Sequence, residues 1–174
     1  MNTYIIILRL IHILCGVLWA GGIFMLHLFV IPAINASGPE GGKVMRQLSA
    51  TNHFTTVMTS AATLNIIAGL LLYWNISNGL SPEWIHSPYG MTVTIGGLLA
   101  IVAYILGITI NRPGVNRITK IGNDIAAAGG KPTESQVAEM TSIRARIAVN
   151  TRNMAVLLAI TVACMAAARY LNGV

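Results

Sequence analysis

Apolar residues fill this chain in long blocks rather than at alternating positions, and four blocks reach the roughly 20 residues that a helix needs to cross the hydrocarbon core of a bilayer. They cover about residues 4–34, 54–74, 89–110 and 154–171. The pattern predicts an all-α fold, a four-transmembrane-helix bundle of antiparallel up-down hairpins, forming a single integral membrane domain over 1–174. The first block starts too close to residue 1 to have a charged leader, and no small-residue cleavage site precedes a soluble sequel. It therefore reads as a retained span rather than a signal peptide.

The polar intervals differ in kind. Ser37 to Gly42 (SGPEGG) is a turn cluster, with Pro39 suited to a first helical turn. The stretch that follows, KVMRQLSATNHF, contains no breaker, which predicts that the second helix starts near Glu40 and projects beyond the bilayer. NISNGLSPEWIHSPYG is a polar loop, and Trp74, Trp84 and Tyr89 suit an interfacial aromatic belt. NRPG is expected to end the third helix. Thr133 to Gln136 forms a capping-box pattern heading a fourth helix that runs unbroken to about Leu171, with an amphipathic first half.

Composition sharpens the class. Of 174 residues, 55 % are hydrophobic and 9 % charged, whereas soluble domains carry about 25 % charge. An ordinary soluble enzyme, a disordered chain and a coiled coil are excluded. The net charge of +6 does not indicate a nucleic-acid partner, because its distribution has another cause. Lys43, Arg46, Arg112, Arg117, Lys120, Lys131, Arg144, Arg146 and Arg152 fall on the side of the first and third connections, and only Arg9 and Arg169 on the other. The positive-inside rule then puts both termini outside the cytoplasmic (inner) membrane and the extensions of helices 2 and 4 in the cytoplasm. Cys15 and Cys164 sit within apolar blocks and read as small buried residues.

Ionisable side chains within spans are the functional candidates. The first span carries Arg9, His12 and His27 within about 60° steps of one another on the helical wheel, so all three are expected to line one inward face, unless Arg9 snorkels to the nearby surface. Folding the first hairpin at its turn brings His53 to within a few ångströms of the depth of His27, and His12 level with Leu64 and Asn65. Histidines at matched depth on neighbouring helices are what bis-imidazole haem or copper requires. His12 and His27 lie 15 residues apart, about 22 Å along a helix, which suits two stacked haems. His53 would complete the inner site and His86 the outer one, with Arg9 and Arg152 opposite propionates. The bland alternative is that such histidines only hydrogen-bond within the bundle. Met25, Met45, Met58 and Met91 are candidate soft donors for copper, or ordinary apolar filler. Arg144, Arg146 and Arg152, with Asn150 and Asn153, either meet lipid phosphates or hold an anionic ligand such as a porphyrin. The five acids, Glu40, Glu83, Asp124, Glu134 and Glu139, all lie outside the deep bilayer, which argues against a carboxylate-driven pump.

The first hairpin, LRLIHILCGVLWAGGIFMLHLFVIPA followed by KVMRQL and IIAGLLLYW, resembles a superfamily of small membrane proteins that includes CopD-like copper-resistance proteins and haem-dependent, HemJ-type protoporphyrinogen oxidases. The shared features are Ile11-His12, Trp19 with Gly21-Gly22, Phe24, Leu28-Phe29-Val30 and Lys43-Val44-Met45, over about residues 5–75. The resemblance implies haem b ligation at His12. The lysine that the oxidases carry near the third span has no counterpart in Trp84-Ile85-His86-Ser87-Pro88-Tyr89, which leaves oxidase activity without that residue. The combined expectation is an integral membrane haem b protein for electron transfer or porphyrin-linked redox chemistry, with His12, His27 and His53 as ligands. The alternatives are a CopD-like copper-binding protein and a cofactor-free subunit of a larger complex. The amphipathic extension of the fourth helix favours a protein partner or homo-oligomer.

Overall fold

The computed structural model describes residues 3–48 and 53–171 and has no strand among them. Helix α1 runs over Thr3–Ala36, α2 over Pro39–Arg46, α3 over Phe54–Ile76, α4 over Pro82–Ile85, α5 over Pro88–Ala127 and α6 over Glu134–Ala168. Of these, α1, α3, α5 and α6 are long and apolar enough to cross a membrane, so the chain is a multi-pass membrane protein. The helices pair as two hairpins, α1 with α3 and α5 with α6. The side chains between them are mainly small: Ala61, Ala62, Ala103 and Ala155 are buried around Trp19, Ile23, Met154 and Leu158. Lipid tails are as apolar as leucine, so close backbone approach and dispersion, rather than the hydrophobic effect, hold these helices together. The large side chains point outwards; Leu14, Val17, Leu98 and Val162 are all exposed, as a lipid-facing surface should be.

The fourth helix follows expectation. Thr133 caps it, its hydroxyl accepting from the Gln136 amide while the Gln136 side chain accepts from the Thr133 amide, and the helix continues to Ala168. The third helix does not stop at NRPG. It passes through a widened, π-helical turn at Gly107–Asn111, in which the Arg112 amide reaches back five residues to the Gly107 carbonyl. The wide turn moves aside the carbonyl that the Pro113 ring would otherwise strike, so the proline is absorbed and the helix runs on to Ala127. A second wide turn, Leu26–Val30, does the same ahead of Pro32 in α1.

The second helix is interrupted. Its first segment is α-helical to Arg46 and continues as a wide turn at 47–48, but His53 takes the left-handed conformation (φ 52°, ψ 26°), which no right-handed helix can pass through, so the spanning helix begins only at Phe54. An unbroken extension from Glu40 is therefore ruled out, and it is α5 that extends alongside α6. The remainder of that expected continuity, including Asn52, lies outside the described residues. Beyond the apolar spans, α5 and α6 form an antiparallel arm joined by Arg117, whose Nε and Nη2 donate to the two Glu139 oxygens at 2.6 and 3.0 Å. This pair is solvent-exposed. The hydrogen bonds and charge of Arg117 hold the Glu139 carboxyl below its ordinary range, and Glu139 in turn raises Arg117.

Candidate functional site

The α1–α3 hairpin carries three of the four histidines. His12 Nδ1 lies 3.0 Å from the backbone oxygen of Asn65, and Asn65 Nδ2 donates to the His12 carbonyl at 3.1 Å. Two glycines make this clamp possible. A Cβ on Gly69 would come within 2.9 Å of the His12 ring, and one on Gly16 within 2.6 Å of Asn65 Nδ2. The level of His12 with Asn65, read from the hairpin arithmetic, is thus realised as a reciprocal pair of bonds. With Nδ1 donating to a carbonyl, Nε2 keeps its lone pair, the tautomer found in ligating histidines.

The same contacts fix the register. Gly16 meets Asn65, His12 meets Gly69, and Gly22 meets Met58, so steps down α1 are matched, to within one residue, by steps back along α3. Continued by arithmetic, that register would carry His27 towards the depth of His53, but the wide turn that holds His27 packs mainly on α6. His27 sits half-buried in the wide turn of α1, and His53 is exposed at the head of α3. Neither imidazole makes a hydrogen bond among the described residues. Imidazoles without a partner are the kind of donor that a bis-ligated iron porphyrin uses. Among the described residues there is no group of three or more His, Cys, Asp or Glu able to hold a metal.

The remaining candidates are separated from this pair. His86 is exposed beside α4, its Nδ1 2.6 Å from the Pro82 carbonyl, in a loop where Trp84 stacks edge-on between Tyr73 and Tyr89. Arg9 does not join the inward face expected for it. Leu8 takes the buried position and Arg9 is exposed, because the face that packs on α3 passes through Leu8, His12 and Trp19. Arg152 is likewise exposed, whereas its neighbours Asn150 and Thr151 are buried. Met25 and Met91 point outwards.

Sequence reasoning missed a cavity. An inner chamber of about 100 Å³ lies among Trp19, Met58, Tyr104, Asn111, Thr151 and Met154. It shares Ile31, Met45, Val115 and Ile147 with an outer chamber of about 410 Å³ at the basic end, bordered by Arg144. Leu26 and Phe54, the neighbours of His27 and His53, line the inner chamber, but the histidines themselves do not. A polar network borders it. Asn150 Nδ2 donates to Asn111 Oδ1 at 2.8 Å and to the Leu106 carbonyl at 3.1 Å, and Asn111 Nδ2 donates to Thr151 Oγ1 at 3.1 Å. Tyr104 and Thr63 share a hydroxyl bond of 2.9 Å nearby. The signal in the sequence was the pair Asn111 and Asn150, polar residues at the inner ends of apolar blocks. No protein-family model, curated protein or solved structure matches this chain.

Proposed function

We propose that this chain is an integral protein of the cytoplasmic membrane, both termini outside, that holds haem b for electron transfer or porphyrin-linked redox chemistry. The observation that carries the reading is that the His27 and His53 imidazoles, on either side of the first hairpin's turn, have no side-chain partner among the described residues. In this reading those two imidazoles are the axial pair, and His12, fixed by Asn65, is a further ligand or a positioning residue for the hairpin. Bound there, haem supplies a one-electron couple, and the protein's part is to orient the imidazoles and exclude water. Arg152 serves a propionate at the basic end, while Arg9 and His86, at the other end of the bundle, lie too far along it to reach this site. Oxidase activity is not part of the proposal.

The test is a dithionite-reduced minus oxidised spectrum of the detergent-purified protein. A sharp b-type α band that His27→Ala and His53→Ala each abolish, and His86→Ala preserves, is the expected result. A flat spectrum, or a band indifferent to both substitutions, overturns it. Copper handling is the second reading, favoured by the gathering of Met45, Met58 and Met154 around one cavity. Elemental analysis of the same sample decides it.

A further inference from the structure

The two joined chambers have a polarity gradient that neither reading of the histidines uses. The inner chamber is walled mainly by apolar side chains and ends on Trp19, which is 3 % exposed. From Met154 to Met140 on α6 the lining spans 14 residues, about 21 Å, running from the edge of the apolar block out along the arm. Two guanidinium groups border it, Arg112 on the inner chamber and Arg144 on the outer one. Neither has a carboxylate or hydrogen-bond partner among the described residues; Glu139, the acid beside them on α6, is taken by Arg117. Arg144 is also seated in place. Its Nη2 lies 3.2 Å from where a Cβ on Gly42 would stand, so the bare backbone of α2 admits the guanidinium to the mouth.

We infer that this cavity binds an anionic phospholipid from the leaflet at the basic end, with one acyl chain in the bundle, reaching towards Trp19, and the phosphate at Arg112 and Arg144. Charge complementarity selects the occupant. A zwitterionic lipid offers the same chain but repels the two unpaired cations with its own, whereas a phosphate monoester head accepts charge-assisted hydrogen bonds from both. The inference does not depend on haem, since His27 and His53 lie outside the lining.

The experiment places the full chain in phosphatidylcholine nanodiscs, with Trp74→Phe and Trp84→Phe leaving Trp19 as the sole tryptophan, excited selectively over the tyrosines. The probes are phosphatidic acid and phosphatidylcholine brominated along the acyl chain, at equal mole fraction. Brominated phosphatidic acid is expected to quench Trp19 saturably and in preference to phosphatidylcholine, and Arg144→Gln to cut that preference by roughly fivefold, the effect of one basic residue near an anionic head. Arg146→Gln, outside the lining, should leave it unchanged. Equal quenching by the two lipids overturns the inference even if no variant folds, and equal losses in Arg144→Gln and Arg146→Gln overturn it by showing only diffuse surface attraction.

Discussion

Replacing Gly69 by alanine tests the hairpin clamp most directly. The new methyl would stand 2.9 Å from His12 Cε1 and 3.1 Å from Nδ1, so the ring must move by several tenths of an ångström. Overpacking of this kind costs about 1–3 kcal/mol. Moving the ring also weakens the His12–Asn65 bond, worth on average about 0.6 kcal/mol between membrane helices. Against this stands the intrinsic preference of a helix for alanine over glycine, about 1 kcal/mol. The expected net destabilisation is therefore about 1–2 kcal/mol. Gly97→Ala is the control, since nothing lies within 4 Å of its Cβ position; it should be neutral or stabilising. The assay is reversible unfolding in mixed micelles titrated with SDS, followed by circular dichroism. The diagnostic variant is the double mutant: with His12→Ala the obstructing ring is gone, and Gly69→Ala should then behave like Gly97→Ala. If Gly69→Ala is as stable as Gly97→Ala, or if its penalty survives the loss of His12, the clamp is not what fixes this register.

Three further outcomes follow from other parts of the molecule. Asn150→Leu strands the Asn111 side-chain oxygen and one hydrogen bond to the Leu106 carbonyl, so it should destabilise by about 1–3 kcal/mol in the same titration. The Arg117–Glu139 bridge has a defined pH signature: the folded carboxyl is depressed, so its contribution is present above the ordinary glutamate range and fades as pH falls through the lower folded value. Glu139→Gln should remove that acid-limb dependence while barely altering neutral-pH stability, because the pair is exposed. Topology is checked by tagging: a tag after Val174 should react in intact cells and one beside Lys131 only after lysis, and the reverse pattern would refute the assigned sides.

How much of this was legible in the sequence depends on whether a rule acts locally. The four spans and the Thr133 cap could be read directly, because length and a three-residue spacing determine them. The level of His12 with Asn65 was also legible, since a tight hairpin converts sequence distance into depth. One proline rule misled. Pro113 marks a helix end only if its neighbours stay α-helical, and the wide turn before it removes that condition. The break ahead of Phe54 was hidden for the opposite reason: His53 is no conventional breaker, yet it adopts a left-handed conformation. The orientation of Arg9 failed because a wheel gives relative angles only; which arc faces the partner was settled by Leu8. The cavity was out of reach, since it arises where four separate helices fail to fill the space between them.

The wide turn in α5 also acts as a rotational spacer. Tyr104, Ile108 and Arg112, and beside them Gly107, Asn111 and Val115, recur every four residues along one wall of the inner chamber. In a regular helix such rows drift by about 40° at each step and would leave the chamber after a few turns. The extra residue in the turn cancels that drift, so the hydroxyl of Tyr104, the amide of Asn111 and the guanidinium of Arg112 address the same space. Deleting one residue between Gly107 and Asn111 would alter no polar group's identity but would swing everything beyond it by about 100°. Arg112 would then face away from the chamber, and the arm carrying Arg117 would turn away from Glu139. In this helix a change of length by one residue is a change of direction.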